Sequence, residues 1–148
     1  MKKIITLGLA LCFALSIQAQ KSVDVKSADV PAAIQNSFQK HYPGATGADW
    51  EMKDGNYKVE FRDAGNKHKA WFDNTGMRMS HATEIKIADV PAAVSEAVAK
   101  NHPGSKIDDA YRIEKDGKTH YKLELDGNPD KKVVYSADGE LIKEKTDH

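Results

Sequence analysis

Histidines are the side chains here with the most chemistry on offer: His41, His68, His81, His102, His120 and His148. Their spacing gathers none of them into a site. There is no His-x-x-x-His and no His-Glu-x-x-His, the pairs that put two imidazoles on one helix face for zinc. Separated histidines can meet only if the fold brings them together, and scattered surface imidazoles are the ordinary reading. His41 and His102 fall at helix ends, where the dipole favours a cation. His120 takes the solvent side of its strand by parity. Nucleophile chemistry is equally thin. The sequence has no Gly-x-Ser-x-Gly elbow and no glycine-rich phosphate loop, and its one cysteine, Cys12, lies near the N-terminus. Neither a catalytic residue nor a metal ligand is assigned, and no cofactor is implied.

Carboxylates are plentiful, but they alternate with lysine and arginine along β-type segments: Glu51 with Lys53, Lys58 with Glu60 and Arg62, Lys122 with Glu124. That pattern describes cross-strand ion pairs on a wet sheet face better than an acid/base pair.

The elements that must carry these residues come in two copies. Asp29-Val30-Pro31-Ala32-Ala33-Ile34 returns as Asp89-Val90-Pro91-Ala92-Ala93-Val94, and Lys40-His41-Tyr42-Pro43-Gly44 returns as Lys100-Asn101-His102-Pro103-Gly104. A period this long marks a duplicated supersecondary unit. Each copy opens with a helix, with Asp29 and Asp89 as N-caps and Pro31 and Pro91 in the first turn. Val30, Ala33, Ile34 and Phe38 form one apolar stripe; Val90, Ala93, Val94, Ala97 and Val98 form the other. Phe38 anchors the first helix, and Phe38→Ala is expected to cost roughly 3–5 kcal/mol if the ring is buried. The Tyr-Pro and His-Pro steps end the helices.

The period then drops to two. Trp50 and Met52 lead to Asp54-Gly55, followed by Tyr57, Val59 and Phe61; Tyr111 and Ile113 lead to Asp116-Gly117, followed by Tyr121, Leu123 and Leu125. Asp-Gly between alternating runs predicts a hairpin. Third strands are expected at 69–72 and 132–135, and fourth strands at 77–83 and 140–145. The expected fold is α+β: two tandem repeats, at 25–84 and 85–148, each one helix on a four-stranded antiparallel sheet. A unit of about sixty residues is marginal alone, so the copies should support each other as a continuous sheet with both helices on one side.

The sheet face turned away from the helices should carry Glu51, Lys58, Glu60, Arg62, Trp71 and Arg78 in the first copy. In the second it should carry Arg112, Glu114, Lys122, Glu124 and Val134. Trp71 is the main candidate: a tryptophan on a charged sheet face is the composition of a binding hot spot, unless a loop or the other repeat covers it. Trp50 and Tyr111 are expected in the core. The hairpin loops form a second candidate surface through Asp54, Asn56, Asp116 and Lys118, residues that also satisfy turn geometry.

Residues 1–19 read as a secretory signal peptide: Lys2 and Lys3, an apolar run from Ile4 to Ile17, and a small residue, Ala19, at the cleavage point. Leu11 before Cys12, with apolar residues continuing after it, disfavours lipidation. Cleavage after Ala19 leaves a chain without cysteine, so packing and not disulfides must stabilise it. The full chain carries 22 Lys+Arg against 22 Asp+Glu. Such a balance gives no footprint for nucleic acid and none for a polybasic membrane surface.

The Val-Pro-Ala-Ala-(Ile/Val) helix ending in Pro-Gly, the Asp-Gly hairpin and the late turn before the last strand resemble the PepSY-like proteins. Within them they are most similar to the β-lactamase-inhibitor-like group. The resemblance spans both copies and implies a helix on a four-stranded sheet, tandemly repeated, in the periplasm or outside the cell. It carries no inhibitory residue across. The reading is an exported, non-enzymatic module that binds an envelope or secreted protein, including an enzyme it would inhibit. The alternative is a small-ligand or envelope-stress protein with a pocket between the repeats, lined by Tyr57 and Tyr121.

Overall fold

The computed structural model describes residues 21–146; the expected leader lies outside them. The elements run β1 (Val23–Val25), a 3-10 turn at Ser27–Asp29, α1 (Ala32–His41), β2 (Thr46–Lys53), β3 (Asn56–Asp63), β4 (Asn66–Phe72) and β5 (Arg78–Ile85). A second 3-10 turn at Ile87–Asp89 then leads to α2 (Ala92–Asn101), β6 (Lys106–Lys115), β7 (Lys118–Asp126), β8 (Lys131–Ser136) and β9 (Leu141–Thr146). All nine strands form one sheet in chain order, each antiparallel to its neighbours. The class is therefore α+β as expected, but the two four-stranded sheets are fused into one.

The fusion strand is β5. Its residues Ser80–Ile85 pair with Lys115–Ala110 of β6. The short β1 stands in the corresponding place at the start of the sheet: Val25 faces Trp50 as Ile85 faces Ala110. β5 thus closes the first half and opens the second.

Helix entry differs from the sequence expectation. Asp29 and Asp89 lie in the 3-10 turns, and neither caps a helix. Pro31 and Pro91 are the N-caps, and no side chain caps either helix. The cause is local. Val30 and Val90 precede proline, which disfavours helical geometry, and both are extended. The Pro31 carbonyl instead accepts from Ile34 and Gln35. Gln35 Nε2 reaches back to the carbonyls of Ser27 and Val30 at 2.8 and 2.7 Å, tying the turn to the helix.

Each helix covers its own core. Val30, Ile34, Phe38 and Tyr42 pack with Trp50, Val59, Phe61, Ala70 and Phe72. Val90, Val94 and Val98 pack with Ala110, Leu123, Leu125, Val133 and Tyr135. The sheet register puts both cores on the same face. Phe38 is 9% exposed and meets Trp50, Phe61 and Phe72 edge-on at 5.2, 5.1 and 6.5 Å, so the burial on which its expected cost depends is present. The second core has no such aromatic hub on its helix.

Two glycines lock turn to helix. Gly76 and Gly139 have φ of +90° and +86°, and a Cβ there would lie 2.7 and 2.5 Å from the carbonyl oxygens of Ala33 and Ala93. No other residue type fits both demands. Asp73 and Ser136 open these turns: Asp73 Oδ1 accepts from the backbone of Thr75 and Met77, and Ser136 Oγ accepts from Glu140 N.

Candidate functional site

Alternation along the strands fixes what the helix-free face displays, and register aligns it across the sheet. Lys58 sits between Glu51 and Trp71, Glu60 faces Lys69, and Lys122 lies between Tyr111 and Val134. Trp71, Glu60, Arg62, Lys122, Glu124 and Val134 all lie on this face, as parity predicts.

The face is an ion-pair lattice. Lys58 Nζ contacts Glu60 at 2.6 Å and Glu51 at 3.3 Å; Lys69 contacts Glu60 at 3.3 Å, and Lys122 contacts Glu124 at 3.3 Å. Partial burial would pull the Lys58 ammonium down, but Glu60 and Glu51 outweigh it and hold it above its ordinary value. For Glu60 burial acts upward, yet Lys58 and Lys69 hold it below the usual carboxylate range. Both groups are therefore fixed in their charged forms. Pairs this exposed contribute little to stability, but they present lysine and carboxylate groups at defined positions.

Trp71 is half-buried. It lines a groove of about 410 Å³ with Ser22, Glu51, Lys53, Asp54, Asn56 and Lys58. The tryptophan and two of the loop candidates, Asp54 and Asn56, thus meet in one depression. Asp116 lies elsewhere, in a shallower hollow with Arg78, Glu114 and Lys115. The Asp54-Gly55 and Asp116-Gly117 turns have positive φ at both positions, the geometry of a tight hairpin turn. Both lie at the same end of the sheet, because β2 and β6 run in the same direction.

Tyr111 corrects the sequence reading. It is expected in the core as Trp50's counterpart, but Ala110 holds that place and Tyr111 points to the helix-free face opposite Glu84 and Lys122. Its ring is still only 7% exposed, because Lys69 and Lys122 lie over it at 5.3 and 5.8 Å. Burial, reinforced by the carboxylates of Glu84, Asp109, Glu124 and Glu60, pushes its hydroxyl up to about 12. Arg112 and Glu114 change sides with it: they face Thr83 and His81 on the helix side. The misreading came from size. A tyrosine next to an alanine was assigned to the core, whereas register gives that position to the alanine.

Arg78 is the second correction. Simple alternation from Ser80 puts it on the helix-free face. A bulge between Trp71 and Phe72 pairs Phe72 with Arg78 and turns Arg78 to the helix side. There Nη1 donates to the Tyr42 hydroxyl at 2.9 Å, with the guanidinium 5.7 Å from the ring centre. Burial raises the Tyr42 hydroxyl above its ordinary value, opposed by Arg78.

The helix side also holds what spacing could not show. His68 and His81 lie diagonally across β4 and β5, with Nδ1 of one 3.0 Å from Nε2 of the other. Burial, with His68 and Arg78 nearby, depresses His81 to about 4. Among the described residues no group of three His, Cys, Asp or Glu could hold a metal. Tyr57 and Tyr121 pack against separate cores, so they do not line one pocket between the halves. A groove of about 500 Å³ lies on the first half beside Phe38, Tyr42 and Trp50.

A family model described as "Putative beta-lactamase-inhibitor-like, PepSY-like" matches residues 16–64 and again 55–143. The chain belongs to the PepSY-like family. Solved structures agree with this fold. A BLIP-like protein from Bacteroides fragilis is 27% identical, with a TM-score of 0.66 over 78% of this chain and 85% of its own. A DUF2874 family protein from Bacteroides uniformis is 23% identical, with a TM-score of 0.72 over 78% and 88%. A structure from Bacteroides eggerthii titled "putative periplasmic proteins" is 19% identical, with a TM-score of 0.73 over 79% and 88%. A search of curated proteins finds no match. Among the described residues of this PepSY-like chain, no helix is long and apolar enough to cross a membrane.

Proposed function

We propose that this PepSY-like protein is an exported, non-enzymatic binding module whose helix-free sheet face recognises another protein of the envelope or the exterior. An enzyme held inactive by the contact is one class of such partner, in keeping with the inhibitor-like family description. The leader-like N-terminus and a structural neighbour described as periplasmic support export.

The observation that carries the reading is the joining of Trp71 with Asp54 and Asn56 in one groove, beside Lys58, which Glu51 and Glu60 already hold. A flat aromatic beside positioned donors and acceptors is what an interface anchor needs. Fixing Lys58, Lys69 and Lys122 before contact lowers the ordering cost of association.

The test is affinity capture from native envelope extract, with Trp71→Ala and Lys58→Ala as comparisons and the captured pair re-measured from purified components. Trp71→Ala should weaken the purified pair about thirtyfold or more, the scale of a hot-spot truncation. Binding that survives both substitutions unchanged sinks the reading.

The small-ligand alternative shifts to the groove beside Phe38, Tyr42 and Trp50, which has the volume of a ligand site. A metabolite that raises the melting temperature of the wild type but not of Gln39→Trp, a substitution that fills the groove, would favour it.

A further inference from the structure

We propose that β9, the longer outer edge of the sheet, is a docking site for an extended acidic segment of a partner protein, which adds to it as a tenth antiparallel strand. The site lies along the edge of the sheet, away from the Trp71 groove, and stands apart from the binding face described above.

An open sheet has two edges, and these two differ. β1 is three residues long, and an edge that short offers little to pair with. β9 runs six residues, from Leu141 to Thr146, with β8 on one side and, among the described residues, no strand on the other. Leu141 to Lys145 are all exposed. Such a strand turns backbone donors and acceptors outward, ready for a further strand.

The fold supplies its own precedent. β5 is the counterpart of β9: Ala70 faces His81 as Val133 faces Glu144, Trp71 faces Ser80 as Val134 faces Lys143, and Lys69 faces Ala82 as Lys132 faces Lys145. Both pairings carry a bulge at the same place, between Trp71 and Phe72 in one and between Val134 and Tyr135 in the other. The far side of β5 is filled, because β6 lies antiparallel along Ser80–Ile85. The geometry that accepts β6 on β5 is therefore repeated on β9.

Charge selects the occupant. Where β5 has Ser80 and Ala82, β9 has Lys143 and Lys145, and neither makes an ion pair among the described residues. Lys145 stands directly opposite Lys132, a like-charge pair of the kind that destabilises a sheet. Glu144 does not relieve it. Opposite Val133, it projects to the helix side, where Lys131 and His102 hold it at 3.0 and 3.5 Å. A strand added to β9 sets two residues, two apart in sequence, opposite Lys145 and Lys143, as Ile113 and Lys115 lie opposite Ala82 and Ser80. Carboxylates at those positions neutralise both lysines and offset the repulsion from Lys132. A second copy of the chain is the wrong partner. Laid antiparallel on another β9 with faces matched, the strand puts Lys143 against Lys143 or Glu144 against Glu144 at its centre. The edge lysines thus repel self-pairing and favour an acidic strand, which binds as an extended peptide does when it lengthens a sheet.

The test uses the untagged protein and a synthetic peptide alternating Glu with Thr. The peptide should slow amide exchange across Leu141–Thr146 and leave β1 unaltered. Lys143→Glu/Lys145→Glu should weaken binding about tenfold or more and, with the Lys132–Lys145 repulsion gone, should not lower the melting temperature. Lys26→Glu/Lys40→Glu makes the same change of charge at exposed sites of the first half and should bind as the wild type does. The same peptide N-methylated at each peptide bond keeps its carboxylates but loses its backbone donors, and should bind about tenfold or more less tightly. Equal binding of the methylated peptide would reduce the lysines to an electrostatic patch. Protection of β9 without peptide, with a dimer in sedimentation, would assign the edge to a second copy. Either result, unchanged binding by the double lysine variant, or no binding of the Glu–Thr peptide would overturn the proposal.

Discussion

Gly139 shows how much one position can carry. Replacing it with alanine forces a side chain into a positive-φ backbone and drives its Cβ to 2.5 Å from the Ala93 carbonyl. The strain alone is worth about 1–3 kcal/mol, so urea midpoints should drop clearly for Gly139→Ala and also for Gly76→Ala. Gly117→Ala meets no atom within 4 Å and should lose only the backbone term. His81 makes a second prediction at this scale. Its imidazole titrates near 6.5 when unfolded and about 4 when folded, with His68, Arg78, Glu114 and Arg112 as its charged or titratable neighbours. Between those values the unfolded chain takes a proton that the native state refuses. Stability should therefore fall as pH drops from 6.5 toward 4, and His81→Gln should flatten that slope in denaturant titrations. Residue chemistry was the least legible level in the sequence. The meeting of His68 with His81, thirteen residues apart, depends on register, which spacing does not encode. Trp71 could be placed because its neighbours Ala70 and Phe72 alternate cleanly around it; Arg78 could not, because a bulge between it and Ser80 is silent in the residue pattern.

At the scale of elements, alternation predicted the tight turns and the faces of β3, β4, β7 and β8, since period two and Asp-Gly are local properties, but it inverted β6, where Tyr111 took the core place that belongs to Ala110. Helix starts were misplaced for an equally local reason: two aspartates had the chemistry of caps, but the extended residue before each proline postponed the helix. The lattice across β2, β3 and β4 carries its own expectation. Glu60 is held low, so its contribution is present above the ordinary carboxylate value of 4.5 and lost as pH falls through its folded value. Lys58 is held high, so its contribution is present below 10.5 and lost as pH rises through its folded value. Between those limits Lys58→Met should change stability by less than about 1 kcal/mol, a difference that shrinks further in concentrated salt. A large loss in the same urea experiment would mean that the lattice holds the sheet together and does not merely order its surface.

For the whole molecule, duplication was the most legible feature and the joint between copies the least. Sixty-residue spacing announces two units, but it does not say that one strand would serve both. The shared strand has a practical consequence for anyone who cuts the chain. A fragment ending at Ile85 keeps β1 through β5 and every partner its core uses. A fragment beginning at Lys86 retains α2 and β6 through β9 but leaves the outer edge of β6 bare from Ala110 to Lys115. Circular dichroism and amide exchange should find the first piece structured and the second frayed or self-associating. Adding Arg78–Ile85 to the second piece should restore it. Dissection of this protein is thus lopsided: the border strand cannot be divided, only copied.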